Sequence, residues 1–415
     1  EKATRAQGGV RMRNATAVRA RRAFSHVVRR LHGRLPELGP VRLRYAEGAP
    51  GCALRWRPRS PGVVAFMHIG KTAGTTFRRA LLGRKRARKG ECQLEALRHP
   101  SEIGTHAANF STGRLRWHYT KSHKHEFSDG APWEFHVPEL LASRAEGPAP
   151  APSEACGVPL LGTLHYDFSL LRPLFAAMPS GAVAGLALVR DPVSRFLSHF
   201  HHAQGLDWTR GLRMRELTPL QFLQDPDALL EALMVWQDGI AGVSWFAGET
   251  VHFGMGATGE SADNARLRAS IENRTETLRR AVSNYHRFVF VGLLEDVGAS
   301  LELLRHAMGW SSPPALERLN AASPARQPPT REELRGMRAA LRVLAPMDTW
   351  FYEYVRTDFY ARVAALREGG SARPCPTGAG SAQPGVSFPS EAELGGCIAT
   401  RSAVACGAEI FRKQD

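Results

Sequence analysis

The segment VVAFMHIGKTAGTTFRRALL, residues 63–82, contains the residue types that bind a phosphate group. An apolar run over 63–69 predicts a buried strand, and the pattern over 75–82 predicts the helix that follows it. The loop between them carries Lys71, which supplies a full positive charge. Backbone N–H groups and the helix dipole favour an anion at a helix N-terminus. This spacing therefore predicts a phosphate-binding loop, and the structural alternative is a glycine turn that binds no ligand.

The small residues of this loop favour the same interpretation. Glycines let the backbone approach an anion closely, and threonines add hydroxyl donors. The residues concerned are Gly70, Thr72, Gly74, Thr75 and Thr76. The nucleotide-kinase signature G-x-x-x-x-G-K-[ST] would need a glycine where this chain has Ala65. No apolar strand ends in a plain magnesium-binding aspartate either, so a P-loop kinase or NTPase remains an alternative with a weaker basis.

A second segment, LALVRDPVSRFLSHF at 186–200, has a similar organisation. An apolar strand leads to Arg190 and then to a predicted helix. Ser194 and Ser198 are spaced i, i+4 and share one face of this helix. Arginine binds phosphate through forked hydrogen bonds, and a serine on the same side adds a donor. Two separate phosphate-binding segments suit a nucleotide that is phosphorylated at both ends.

Together the two segments resemble a known family. HIGKTAGTTF resembles the 5′-phosphosulfate loop of Golgi carbohydrate sulfotransferases, and RDPVSRFLSHFHHAQ resembles their 3′-phosphate motif. In the heparan sulfate 6-O-sulfotransferase group the matching segments read much like FLHIQKTGGTTF, GLHADW and LRDPVSRYLSEW. This chain has FMHIGKTAGTTF, TLHYDF and LVRDPVSRFLSHF in the same order. It departs from the group at Gly70, Ala73 and Tyr166, where the group has Gln, Gly and Ala.

The resemblance implies a reaction and roles for single residues. The donor would be 3′-phosphoadenosine 5′-phosphosulfate, and a sugar hydroxyl would attack its sulfur in line. Lys71 would be the catalytic cation at the departing oxygen, and His165, in GTLHYDF, the catalytic base. The 5′-phosphate would be held by Gly70, Lys71, Thr72, Gly74, Thr75 and Thr76, and the 3′-phosphate by Arg190 and Ser198. No step of this mechanism needs a metal ion.

Further apolar runs, in PLLGTLHYDFSLLRPLF and RFVFVGLLE, also precede helical patterns. Strands alternating with helices predict an α/β fold with a P-loop-like central parallel sheet flanked by helices. The resemblance implies the sulfotransferase fold. An aromatic-rich helical region at 331–366 should pack on the sheet, whereas 83–156 has no regular pattern. The predicted organisation is a basic stem or linker at 1–60, a domain at 61–366 and a Gly/Ser/Pro/Cys-rich tail at 367–415.

The chain of 415 residues carries a net charge of +16. Such a charge attracts nucleic acid, anionic membrane or acidic polysaccharide, and it does not choose among them. No nucleic-acid recognition motif accompanies the charge. The resemblance implies an acidic polysaccharide or glycan acceptor, for which GRKRARKG is a candidate surface. The non-enzymatic alternative is a polyanion-binding protein on a sulfotransferase scaffold.

The compartment is indicated by weaker signals. No apolar run reaches the ~18 residues that span a bilayer, and the chain begins with Glu1 rather than Met, so we expect an upstream signal or anchor. The six cysteines form no C-x-x-C pair. Sequons at Asn14, Asn109 and Asn273 favour the secretory pathway. With the resemblance, they predict a Golgi-lumen protein, single-pass through an anchor upstream of this chain.

Overall fold

The computed structural model describes only part of the chain. The described residues are 41–44, 63–70, 72–82, 93–96, 157–164, 168–177, 183–205, 213–225, 243–248, 274–316, 328–368 and 385–390. The predictions for Lys71, His165, the cysteines, the sequons and GRKRARKG lie outside these residues. Within them, no helix combines the length and the apolar character needed to cross a membrane.

A parallel sheet forms the centre of the protein. Its five strands are β2 (Val63–His68), β3 (Gln93–Ala96), β4 (Gly157–Leu164), β5 (Val183–Val189) and β6 (Phe288–Leu293), and two short strands, β1 (Leu43–Arg44) and β7 (Gly385–Val386), lie outside it. The spatial order is β3-β4-β2-β5-β6, with every neighbouring pair parallel. All of β5 is buried, as expected for a strand covered on both faces. The predicted α/β fold with a parallel sheet is confirmed.

Helices follow the strands along the chain. They are α1 (Gly74–Leu82), α2 (Phe168–Ala177), α3 (Pro192–Gln204), α4 (Pro219–Gln224), α5 (Val243–Ala247), α6 (Arg274–Tyr285), α7 (Val297–Ala307), α8 (Arg331–Leu344) and α9 (Pro346–Arg367). The helical region predicted at 331–366 is therefore two helices. The break falls at Ala345, directly before Pro346, because proline has no N–H to continue a helix and is tolerated only in a first turn. The strand β3 lies in the segment predicted to be irregular.

The sheet is covered on both faces. The chain runs from β2 through α1 to β3 in one direction along the sheet, and from β4 through α2 to β5 in the opposite direction. Because such connections are right-handed, α1 and α2 lie on opposite faces of the sheet. On β6, Phe290 stacks on Phe77 of α1 at 5.9 Å between ring centroids. Phe288 lies 6.0 Å from Phe168 of α2. Two aromatic residues of one strand thus pack against both helical layers.

The strands β1 and β7 pair in an antiparallel ribbon that joins distant parts of the chain. Beyond β7, the ring of Phe388 lies 5.5 Å from that of Trp350 in α9. The hydroxyl of Thr275 donates to the carbonyl of Pro389 at 3.1 Å. Short pieces of the predicted stem and tail therefore pack on the domain predicted for 61–366.

A buried polar cluster connects α6 to α9. Asp358, only 2% exposed, accepts a hydrogen bond from the hydroxyl of Tyr285 and pairs with Nε of Arg362 at 2.7 Å. Next to it, Nε2 of His286 lies 2.6 Å from the hydroxyl of Tyr354. Polar groups in such a position stabilise a fold when all of them have partners. The cluster fixes α9, whose N-terminal half reaches the candidate site described below.

We expect the stability of the protein to fall as the pH drops from about 6.5 to 4, because His286 should accept a proton only on unfolding. Burial, with the charge of Arg362, lowers the pKa of His286 to about 4, although Asp358 opposes the shift. The unfolded state then binds more protons in this range, which removes at most about 3 kcal/mol. Thermal unfolding of His286→Gln should depend less on pH, whereas the exposed His202→Gln control should behave like the parent. An unchanged pH profile for His286→Gln would contradict this.

Candidate functional site

The candidate site lies at the carboxyl ends of β2 and β5, which are neighbours in the sheet. From β2 the chain continues to β3 and β4, which lie on one side of β2 in the sheet. From β5 it continues to β6, which lies on the opposite side of the β2–β5 pair. In open parallel sheets such a reversal opens a crevice outside the strand ends, and ligands bind there. The loop that follows β2 and the turn that follows β5 both begin at this crevice.

The loop after β2 folds back on itself. Thr72 is 1% exposed, and its hydroxyl donates to the carbonyl of Ile69 at 2.8 Å. Its hydroxyl proton is therefore engaged within the loop, so a contribution of Thr72 to phosphate binding would come from its backbone N–H. Ala73 has φ 59°. Its carbonyl accepts the N–H of Phe77 at 3.0 Å, and this is the first hydrogen bond of α1.

The N-terminus of α1 differs from those of α3 and α7. In α3 the carboxylate of Asp191 accepts the N–H of Ser194 at 2.9 Å. In α7 Asp296 plays the same part for Ala299 at 3.0 Å. Ala73 precedes α1 and has no side-chain acceptor, and the first turn of α1 carries no acidic residue. This N-terminus therefore keeps the electrostatic character that favours an external anion.

Replacing Ala73 by glycine is expected to stabilise the protein by about 0.5–1 kcal/mol. A left-handed conformation costs a residue with a Cβ about 1–2 kcal/mol, and the larger conformational entropy of glycine in the unfolded chain offsets part of that gain. Urea unfolding measures the difference. The control Ala339→Gly, in the exposed middle of α8, should instead destabilise by about 1 kcal/mol. Destabilisation by Ala73→Gly would contradict the expectation.

Arg195, in α3, binds this loop directly. Its Nε donates to the carbonyl of Gly70 at 3.1 Å, and the residue is 5% exposed. The sequence prediction did not include Arg195, because arginines are mostly exposed and this one follows the more prominent Arg190. The contact joins the two segments that were predicted to bind phosphate.

Glu295, which follows β6, holds the turn after β5. Its Oε1 accepts the N–H of Asp191 at 3.0 Å, and its Oε2 accepts the hydroxyl of Tyr352 at 3.1 Å. Burial raises the pKa of Glu295, and these hydrogen bonds oppose the shift. Burial lowers the pKa of Arg190, which the charges of Glu295 and Asp191 partly offset. Glu295 was not among the predicted site residues, although an acid directly after an apolar run was an available signal.

A small cavity separates the two loops from α9. Its volume is about 40 Å³, and its wall includes Thr72 of the first loop, Arg190 of the second, and Asp348 and Tyr352 of α9. It can hold at most a few water molecules, whereas pockets for small ligands measure about 300–1,000 Å³. The cavity therefore shows that the described parts of the two loops converge next to α9.

Comparison with models of known protein families found no match for this chain, and comparison with curated proteins found none. The resemblance to sulfotransferases therefore stays a prediction, which depends on the sequence segments quoted above and on the chemistry of their residues. Among the described residues, no group of three or more His, Cys, Asp or Glu is arranged to hold a metal ion.

The structure brings some predicted site residues together and leaves others apart. Thr72 and Arg190 contribute to the wall of one cavity, and Gly70 reaches the same region through Arg195. Ser198 lies two turns into α3 and is half-buried, and it does not line that cavity. Gly74 is buried and Thr76 is half-buried in the first turn of α1. The side chain of Thr75 lies outside the described part, as do Lys71 and His165.

Proposed function

We propose that the protein is a sulfotransferase that transfers sulfate from 3′-phosphoadenosine 5′-phosphosulfate to a hydroxyl of an acidic polysaccharide. In this proposal it has the sulfotransferase fold, resembles the heparan sulfate 6-O-sulfotransferase group and acts in the Golgi lumen. The observation that carries the proposal is the bond between Arg195 and Gly70, because it holds two phosphate-type segments side by side at adjacent strand ends.

The two segments support a donor with phosphate groups at both ends. The N-terminus of α1 suits one anion. Arg190, at the turn after β5, supplies a cation for a second anion, and Glu295 fixes the backbone of that turn. A nucleoside triphosphate would instead place its phosphates in one chain at one loop. Ala65 stands where the kinase signature needs a glycine, which also disfavours a kinase.

The proposed reaction assigns each residue one task. The acceptor hydroxyl oxygen attacks sulfur, and the bond between sulfur and the bridging oxygen of the 5′-phosphate breaks. The electron pair stays on that oxygen, where the charge of Lys71 stabilises it. The proton of the hydroxyl passes to His165, because an imidazole is suited to act as a base near neutral pH. Arg195 and Glu295 act as positioning residues that hold the two loops.

The proposal is tested with purified protein, the donor labelled in its sulfate group and a panel of glycans, with a chelator present. Transfer of label to a glycan, with the labelled hydroxyl mapped afterwards, is the expected result. Binding of 3′-phosphoadenosine 5′-phosphate without transfer to any glycan would instead favour a polyanion-binding protein. Magnesium-dependent turnover of ATP, measured in a parallel reaction without chelator, would favour the kinase.

A further inference from the structure

Four arginines form a stripe along α8. They are Arg331, Arg335, Arg338 and Arg342, and all of them are exposed. Because their spacing is four, three and four residues, they lie within about 60° around the helix axis and extend over about 16 Å. We call this surface the arginine stripe.

The stripe carries positive charge that the described part of the chain leaves uncompensated. None of its arginines makes an ion pair or hydrogen bond to a residue in the described part of the chain. Of the two acids in α8, Glu333 accepts hydrogen bonds from Thr330 in the helix cap, which leaves Glu332 as the only acid of this helix near the stripe. Other exposed arginines do have partners: Arg279, Arg356 and Arg367 pair with Glu276, Glu353 and Glu302.

The arrangement is unfavourable for the helix alone. Like charges at i, i+3 and i, i+4 repel each other and lower the stability of a helix. Three successive pairs along α8 are of this kind. A surface helix that needed only to be soluble would mix acids with these arginines. The repulsion disappears when an anionic partner covers the stripe.

The C-terminal end of α8 lies at the candidate site. The opposite face of α8 is buried through Met337, Ala340 and Leu341, in a cluster that also contains Phe196 of α3 and Phe222 of α4. At its C-terminal end, Leu341 and Ala345 line the cavity between the two loops and α9. Arg342 therefore lies next in sequence to a residue of the cavity wall.

We propose that the arginine stripe binds a linear acidic polysaccharide and directs it towards the candidate site. The choice of this polyanion rests on the proposed function. A membrane surface does not fit, because a helix in a bilayer interface needs an exposed apolar face and the apolar face of α8 is buried. Single-stranded nucleic acid fits poorly, since α8 has no aromatic residue on which bases could stack.

The test replaces Arg331, Arg335, Arg338 and Arg342 together by glutamine, which has a helix propensity similar to that of arginine. Binding of a heparin oligosaccharide is measured over a range of salt concentrations. We expect affinity at physiological salt to fall by about tenfold or more, and the slope of log affinity against log salt to become shallower by about 3. The thermal stability should stay the same or rise. The single reversal Arg338→Glu should weaken binding in the same direction.

The control replaces Arg172, Arg279, Arg356 and Arg367 by glutamine, which changes net charge equally at exposed helical positions off the stripe. Its heparin affinity should stay near that of the parent. Equal losses in both variants would overturn the proposal, as would tighter binding of a DNA duplex that depends on the same arginines. Because heparin binding is measured without sulfate transfer, an inactive protein that binds heparin through the stripe would refute the proposed reaction alone.

Discussion

Replacing Lys71 by alanine is expected to lower kcat for sulfate transfer by about 100- to 1,000-fold, the range found when a group that stabilises transition-state charge is removed. The effect should fall on kcat because the negative charge on the bridging oxygen develops only as the sulfur–oxygen bond breaks. Binding of 3′-phosphoadenosine 5′-phosphate should change much less, since the N–H groups of α1 and Arg190 remain. Steady-state kinetics and calorimetric titration measure the two quantities.

Two further variants give the Lys71 prediction its controls. Lys71→Arg keeps the charge on a different geometry and should retain more activity than Lys71→Ala. Arg78→Ala removes one positive charge from the half-buried middle of α1 and should keep kcat near that of the parent. If Lys71→Ala kept near-parental kcat, the proposed role of this loop as the catalytic phosphate loop would be wrong.

Replacing Arg195 by methionine is expected to raise KM for the sulfate donor by about tenfold to 100-fold, with a smaller effect on kcat. The change removes the hydrogen bond to the carbonyl of Gly70, and hydrogen bonds that involve a charged group contribute about 1.5–3 kcal/mol. Methionine keeps the aliphatic part of the side chain in a position that is 5% exposed. The loss should therefore act on the position of the phosphate loop.

A matched control separates this role from a general loss of stability. Nη1 of Arg305, in α7, donates to the carbonyl of Trp310, which follows that helix, at 3.4 Å. This hydrogen bond is of the same chemical type as the one that Arg195 makes. Arg305→Met should lower the melting temperature slightly and leave donor affinity unchanged. If both variants changed donor affinity equally, or if Arg195→Met changed only the melting temperature, Arg195 would not position the loop.

Much of the sheet could be predicted because most of its strands are strongly apolar runs with clear ends in the sequence. The runs at β2, β5 and β6 are buried on both faces, so their pattern needs no knowledge of neighbours. The strand β3 has only four residues and mixed polarity, and its pairing with β4 decides its conformation. The pairing of β1 with β7 joins segments that are more than 300 residues apart, and nothing local in either segment indicates it.

The candidate site shows the same division. Glycine, lysine and threonine at fixed distances after a strand predict an anion site, because the chemistry is local to one loop. Arg195 and Glu295 act on backbone groups of other segments, so their roles depend on how the strand ends meet. The residue type of Thr72 indicated an anion site, but the sequence could not show where its hydroxyl points. In the structure the hydroxyl donates to the carbonyl of Ile69.

The α/β class, the order of the strand–helix units and the two segments suited to phosphate could all be predicted from the sequence. These follow from periodicity and from residue chemistry within short stretches. The tertiary structure alone decided that β2 and β5 are neighbours, that Arg195 links the two segments, and that the end of α8 reaches the same cavity. The physical reason is that packing and hydrogen bonding between distant segments depend on the whole chain, whereas propensity and charge act within a few residues.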